Sequence, residues 1–422
     1  MKAIVYPSRC QNEVHIPPSK SMSHRAIICA CLAKGKSIIR NLAFSEDIKI
    51  TIAGMRQLGA TITEFSDYVE IQGISEISKI ENPEVYCKES GSTLRFFIPI
   101  FSLTNQAICF KGEERLMKRP QTVYQTIFEH KRLPFLQTDE GITINGGLQA
   151  GKYELDGNVS SQFITGLLFA LSMLRETSVI HIKPPFESRS YVNLTLQAMA
   201  DFGVIASFID DNTIEIKGGQ AYQPCDYTVE GDYSQLAFFA VLGAINHDLK
   251  CVGVRHDSLQ GDRVIIDILK QSGVQVDAIE NGYMIHKSHI HATDIDLSDC
   301  PDLGPILTVL AMFAEGTTRI YNAGRLRLKE SDRIEAMETE LKKLGCNINS
   351  TQDEIIIQGN QEYIPLCDAF AHNDHRIAMS LAVAATRCQS PVVIDDAQSI
   401  NKSYPSFFED LKRTGVRVDI QE

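Results

Sequence analysis

"SKSMSHRAIICACLA" (residues 19–33) runs small polar and basic residues straight into an apolar, helix-like segment, and the same construction returns five more times. "SGSTLRFFIPIF" (90–101), "SSQFITGLLFALSML" (160–174), "GDYSQLAFFAVLGAI" (231–245), "DLGPILTVLAMFA" (302–314) and "NDHRIAMSLAVAA" (373–385) follow at intervals of roughly 70 residues. A fixed period marks an internally repeated architecture, and this one is longer than the roughly 20–50 residues of ordinary solenoid repeats.

A second marker keeps the same beat. "GMRQLGATI", "LQAMADFGVIA", "ILKQSGVQV", "LKKLGCNI" and "FEDLKRTGVRV" each read as an amphipathic helix that ends in Gly and passes into a strand. Gly suits the left-handed turn that closes a helix. The second copy, "IFEHKRLPFLQ", is degenerate, with Leu133-Pro134 where Gly is expected. Hairpins follow in "TEFSDYVEIQG", "TDEGITING", "IDDNTIEIKGG" and "STQDEIIIQG". Each unit is therefore strand, buried helix, strand, amphipathic helix and two strands. Six such units predict an α/β protein of two pseudo-symmetric domains, three units each, with a junction near Glu230–Asp232.

The repeats alone do not explain the charges at their starts. A helix N-terminus already carries unpaired N–H groups and partial positive charge. Ser, Asp and Asn there are ordinary caps. Lys20 and Arg25 at the first start, Arg95 at the second and His375-Arg376 at the last are unfavourable unless an anion faces them. Arg119, Arg189, Lys329, Arg333 and Lys402 lie in loops nearby in the pattern. If the starts face a shared cleft, they form a trap for a small ligand with several phosphates or carboxylates. Two acids stand among these cations. Asp302 suits an N-cap and Glu330 suits a surface ion pair, but beside a substrate either could move a proton.

Composition narrows the alternatives. Over 422 residues the chain is 44% hydrophobic and 22% charged, with a net charge of −12, which argues against a nucleic-acid surface. Eleven cysteines form no C-x-x-C pair, and Cys29, Cys31 and Cys300 sit in or beside apolar stretches, as reduced thiols of a cytoplasmic protein would. "MKAIVYPSRC" has too short an apolar run for a signal peptide, and the longest apolar stretch, around Leu236–Ile245, is too short to span a membrane. The segment "HKSHIH" (His286 to His291) has no matching distant Cys or His set and reads as a solvent-facing strand or turn, with no metal.

"PPSKSMSHRA", "ESGSTLRF", "MKRPQ", "VSSQFITGLL", "FESRSYV", "CPDLGP", "LRLKESDR", "NDHRIAM" and "NKSYPSFF" together resemble the EPSP synthase (3-phosphoshikimate 1-carboxyvinyltransferase) family, in the family's order across nearly the whole chain. The resemblance implies two inside-out α/β domains, each of three β-α-β-α-β-β units, with an interdomain active-site cleft. It places residues 20–230 in the N-terminal domain and residues 1–19 with 231–422 in the C-terminal domain, so that "PPSK" is one of two hinge crossings. It also implies enolpyruvyl transfer from phosphoenolpyruvate to the 5-hydroxyl of shikimate 3-phosphate, through a tetrahedral intermediate, by a monomer without metal or cofactor.

By the same resemblance Lys20 bridges both ligands, and Ser21 and Arg25 hold the shikimate carboxylate side. Ser160, Ser161 and Ser188 look like ligands of its phosphate, with Gln162 between the substrates. Asp302 resembles the base acting on the 5-hydroxyl, Lys329 lies nearby, and Glu330 is similar to the residue that exchanges protons at the methylene. Gly91, Arg119, Arg333, Arg376 and Lys402 resemble the phosphoenolpyruvate site. Glu89 and Arg325 depart from residues common in the family and are left outside the site. The rival is the sister enzyme acting on UDP-N-acetylglucosamine, which typically carries a reactive Cys before the site Arg. Here "KGEERLMK" precedes Arg119 without one. A pure anion-binding protein would gain nothing from keeping Asp302 and Glu330.

Overall fold

The computed structural model describes residues 1–422. Six four-stranded sheets share one pattern of strand directions. In the third, Lys152–Asp156 runs parallel to Ser178–Lys183, which is antiparallel to Thr213–Ile216, itself antiparallel to Ala206–Asp210. Helix Ser161–Leu171 makes the crossover between the parallel strands, and helix Arg189–Asp201 leads into the hairpin. The same order of strand, helix, strand, helix and hairpin is what the 70-residue beat requires.

The crossover helices are apolar around most of their circumference, so they belong inside. Every residue of helix Tyr233–Ile245 is buried. The strands bury one face only: along Lys152–Asp156, Tyr153 and Leu155 are buried while Lys152, Glu154 and Asp156 are exposed. Helices form the centre and sheets the outside, the reverse of the usual α/β layering. No helix is long and apolar enough to cross a membrane.

The chain forms two compact units, Lys20–Val229 and Met1–Ser19 with Glu230–Glu422. Three sheets lie in each, and three of the joining strands come from afar. Asp226–Thr228 pairs in parallel with Lys36–Arg40, and Glu13–His15 with Leu249–Val252. Lys2–Val5 is an inner strand, antiparallel to both Val392–Asp395 and Val418–Gln421. Where the chain passes from one unit to the other, the Ser19 N–H donates to the Glu230 carbonyl at 2.7 Å and that of Asp232 to Pro17 at 2.9 Å.

The expected glycine turns are present: Gly59, Gly203, Gly273, Gly345 and Gly415 all have φ between +78° and +115°. In the degenerate second repeat the left-handed residue is Arg132, φ +57°, one position before Leu133-Pro134. The turn is kept without Gly, at a cost of about 1 kcal/mol for placing a Cβ in that region.

Candidate active site

In the unit Lys20–Val229 three crossover helices present their N-termini with the predicted residues on or beside them. Lys20, the first residue of helix Lys20–Leu32, pairs with Asp47 at 2.9 Å. Ser21 accepts at its carbonyl from Arg25 Nη1, 2.7 Å. Arg25 is buried and also donates to Thr195, Thr165 and the Tyr191 carbonyl. These four bonds engage four of its five N–H groups within the protein. Arg25 is therefore mainly a tie between this helix and helix Arg189–Asp201.

Gly91 opens helix Gly91–Ser102, with Ser90 as its cap. A Cβ at Gly91 would stand 2.6 Å from Arg119 Nη1, so only Gly lets that guanidinium lie against the helix start. The Arg119 carbonyl is held by Gln121 and Gln137, which fixes the loop carrying the side chain. Ser160 caps helix Ser161–Leu171. Gln162 bridges to the neighbouring helix, donating to Ser92 Oγ at 2.8 Å and accepting from Arg95 Nη1 at 2.7 Å. Ser188 precedes helix Arg189–Asp201 with φ +54°, a strained conformation for a residue with a Cβ.

A buried chain of hydrogen bonds ties these starts together, and no motif signals it. His24 Nδ1 meets Thr51 Oγ1 at 2.8 Å, Thr51 meets Thr93 at 2.7 Å, and Thr93 meets Ser90 at 2.8 Å. Burial, with the charges of Lys20 and Arg25, pushes the His24 pKa well below 6.5. His24 is therefore neutral when folded but takes up a proton when unfolded below about pH 6.5, so stability falls as pH drops through that value, by up to about 1.4 kcal/mol per pH unit. His24→Asn, which keeps a polar partner for Thr51, should flatten the fall in urea stability between pH 7 and 5. An unchanged slope refutes the assignment.

The second unit gathers its predicted residues more tightly. Asp302 lies at the start of the short turn Pro301–Leu303 that leads into helix Gly304–Met312. It does not act as that helix's side-chain cap. Its carboxylate meets three cations instead: Lys329 at 3.2 Å, Arg333 at 3.2 Å and Arg376 at 3.0 Å. Burial alone would push the Asp302 carboxyl up, yet Arg376, Lys329 and Arg333 together hold it well below the usual carboxylate range. Burial pulls the Lys329 ammonium down, with Asp302 opposing.

Glu330 is no surface partner either. It accepts from Arg333 Nη2 at 2.7 Å, so one buried guanidinium holds both Asp302 and Glu330. The third side of Arg333 faces Asp374, with Nε at 2.8 Å and Nη2 at 3.2 Å. Asp374 also caps helix His375–Ala385 through the Arg376 N–H and accepts from Ser331 Oγ. Lys402 ends the turn Ala397–Lys402 and donates to the Asn373 carbonyl at 2.5 Å.

Sequence reasoning passed over Asp374, which a cap reading of "NDHR" accounts for, and Asp47, which no motif marks. It also passed over Asp262, buried beneath Ser234, whose carboxyl is pushed up by burial and by the charge of Asp302. One further departure concerns "HKSHIH". His289 and His291 are exposed as expected, but Glu315 provides a distant carboxylate beside them.

The family profile described as EPSP synthase (3-phosphoshikimate 1-carboxyvinyltransferase) matches residues 4–411. A 3-phosphoshikimate 1-carboxyvinyltransferase of Clostridium kluyveri is 43% identical over 418 residues, covering 98% of this chain and 97% of its own. One from Clostridium perfringens is 44% identical over 417 residues, covering 98% of each. Among solved structures, an EPSP synthase from Acinetobacter baumannii superposes with a TM-score of 0.82 at 25% identity, over 100% of both chains. The enolpyruvyl transferase NikO from Streptomyces tendae shares the fold, with a TM-score of 0.81 at 17% identity over 99% of this chain and 98% of its own. With the profile spanning nearly every residue and close relatives matched from end to end, this chain belongs to the EPSP synthase family.

Proposed function

We propose that the chain carries out the reaction named for its relatives, moving the enolpyruvyl group of phosphoenolpyruvate to the 5-hydroxyl of shikimate 3-phosphate, and that the charged clusters of both units serve these two substrates. The observation that carries the reading is Asp302 held among Lys329, Arg333 and Arg376 with Glu330 on the same guanidinium. Binding of anions alone favours cations alone. Two carboxylates among them serve proton transfer.

Asp302 takes the proton of the 5-hydroxyl as its oxygen bonds to C2 of phosphoenolpyruvate, and Glu330, entering the step as the protonated acid, delivers its proton to C3. Glu330 then removes a C3 proton as the C2–O bond to phosphate breaks, and Asp302 returns its proton to the departing phosphate. In the ligand-free protein the three cations make Asp302 a weak base. Substrate phosphate and carboxylate draw on those same cations, which restores its basicity when both substrates are present. Lys20, Gly91, Arg119, Gln162, Arg333, Arg376 and Lys402 are assigned to phosphoenolpyruvate. Lys20, Ser21, Arg25, Ser160, Ser161, Gln162, Ser188, Asp302 and Lys329 are assigned to shikimate 3-phosphate, in a cytoplasmic setting. The chemistry is proton transfer and substitution at carbon, and uses no cofactor.

A phosphate-release assay tests the substrate assignment. Phosphate should leave phosphoenolpyruvate when shikimate 3-phosphate is added and not with UDP-N-acetylglucosamine. The reverse result overturns it. Gly91→Ala tests the phosphoenolpyruvate site: the new Cβ would lie 2.6 Å from the far end of a flexible side chain, so Arg119 moves and the fold does not. The KM for phosphoenolpyruvate should rise about tenfold, as for one weakened charge-assisted contact, with little change in thermal stability. An unchanged KM removes Arg119 from the site.

A further inference from the structure

We propose that His289, His291 and Glu315 form a surface site for a divalent transition ion such as zinc, apart from the residues assigned to catalysis. The two histidines alternate along an extended stretch, which puts their rings on one side. Their ring centroids lie 4.8 Å apart at 77°. Glu315 comes from the turn after helix Gly304–Met312, about 25 residues later in the chain, and His289 Nε2 already meets its Oε2 at 2.6 Å.

The backbone fixes this meeting. His291 and Glu315 form a parallel bridge, the Ala292 N–H donates to the Glu315 carbonyl at 2.9 Å, and the Glu315 N–H donates to Ile290 at 2.8 Å. The ligand atoms of all three residues lie within 4.8 Å of one another. Tetrahedral zinc with bonds of roughly 2.0–2.1 Å needs its ligands roughly 3.3 Å apart. The side chains are exposed, so small rotations close that gap without disturbing packing.

Two imidazoles and one carboxylate are a donor set suited to zinc, with a water completing the shell. His286, in the same segment, is not part of the set: it is engaged by Asp248 at 2.8 Å and Asp277 at 3.0 Å. The bound ion would link the connector ahead of strand Asp294–Asp296 to the turn before strand Thr317–Tyr321. Binding to the folded form alone would raise its thermal stability.

The test is zinc binding to metal-stripped, full-length protein by calorimetry, with the His289→Ala/His291→Ala double variant beside it. The wild type should bind one more equivalent at micromolar zinc than the double variant, and its melting temperature should rise further on adding zinc. Glu315→Gln should weaken that equivalent at least about tenfold, the loss of one metal ligand. All three residues are exposed, so the variants should fold and keep wild-type turnover. Equal stoichiometry in wild type and double variant, or unchanged affinity in Glu315→Gln, overturns the site.

Discussion

Asp302→Asn should lower kcat by about 10³-fold, within the roughly 10²–10⁴ that a positioned proton acceptor contributes. Asn preserves the shape of the carboxylate and one oxygen that can accept from Lys329 and Arg333, with its NH2 on the side of Arg376, but it cannot take a proton. It also removes the negative charge that those three cations surround. Substrate anions then meet a more positive site, so KM for phosphoenolpyruvate should hold or fall. A structural role alone predicts the opposite pattern, with lost stability and weaker binding. A variant with kcat within tenfold of wild type would remove Asp302 from the proton path.

Arg333→Ala carries the largest expected effect on stability. The Arg333 side chain is 1% exposed and Asp374 is 0% exposed, and the substitution takes from that carboxylate its buried guanidinium partner, and the same partner from Glu330, while Asp302 keeps Lys329 and Arg376. Breaking a buried pair from one side costs about 3–5 kcal/mol. For a unit of this size that is a fall in melting temperature of about 10 °C.

The pH dependence separates this cause from simple loss of volume. Burial would push the Asp374 carboxyl up, but Arg333 holds it down to about 2. A carboxyl lower in the folded state than its ordinary 3.8 adds stability above about pH 4, and that contribution is lost as pH falls toward 2. Without Arg333 the buried carboxyl moves up instead. The difference between wild type and variant should therefore shrink on acidification from pH 7 to 4, and Asp374→Asn on the Arg333→Ala background should recover part of the loss. A constant difference across that range would mean the partnership is not the source.

The repeat was legible in the chain because its signals are local. Helix starts, apolar crossover segments and the left-handed helix ends each depend on a few consecutive residues, and even the exception at Arg132 keeps the turn. The pairing of Lys2–Val5 with strands near residues 392 and 418 has no such signal, since nothing local ties strands so far apart. In the site, the cations stood out because they conflict with the helix dipole. Asp374 and the His24 chain did not, because a cap and a core histidine are ordinary explanations until their buried partners are seen. Glu315 was invisible for the same reason as the distant strands: its approach to His289 depends on two loops meeting.

The position of Lys2–Val5 inside its sheet bears on how a ribosome makes this protein. The unit from Lys20 to Val229 is one continuous segment and is complete well before Val418–Gln421 is made. The other unit must keep its first strand waiting until the partner Val418–Gln421 emerges. At about 5–20 residues per second that wait lasts on the order of 20–80 s, during which an apolar strand remains open to chaperones or to wrong partners.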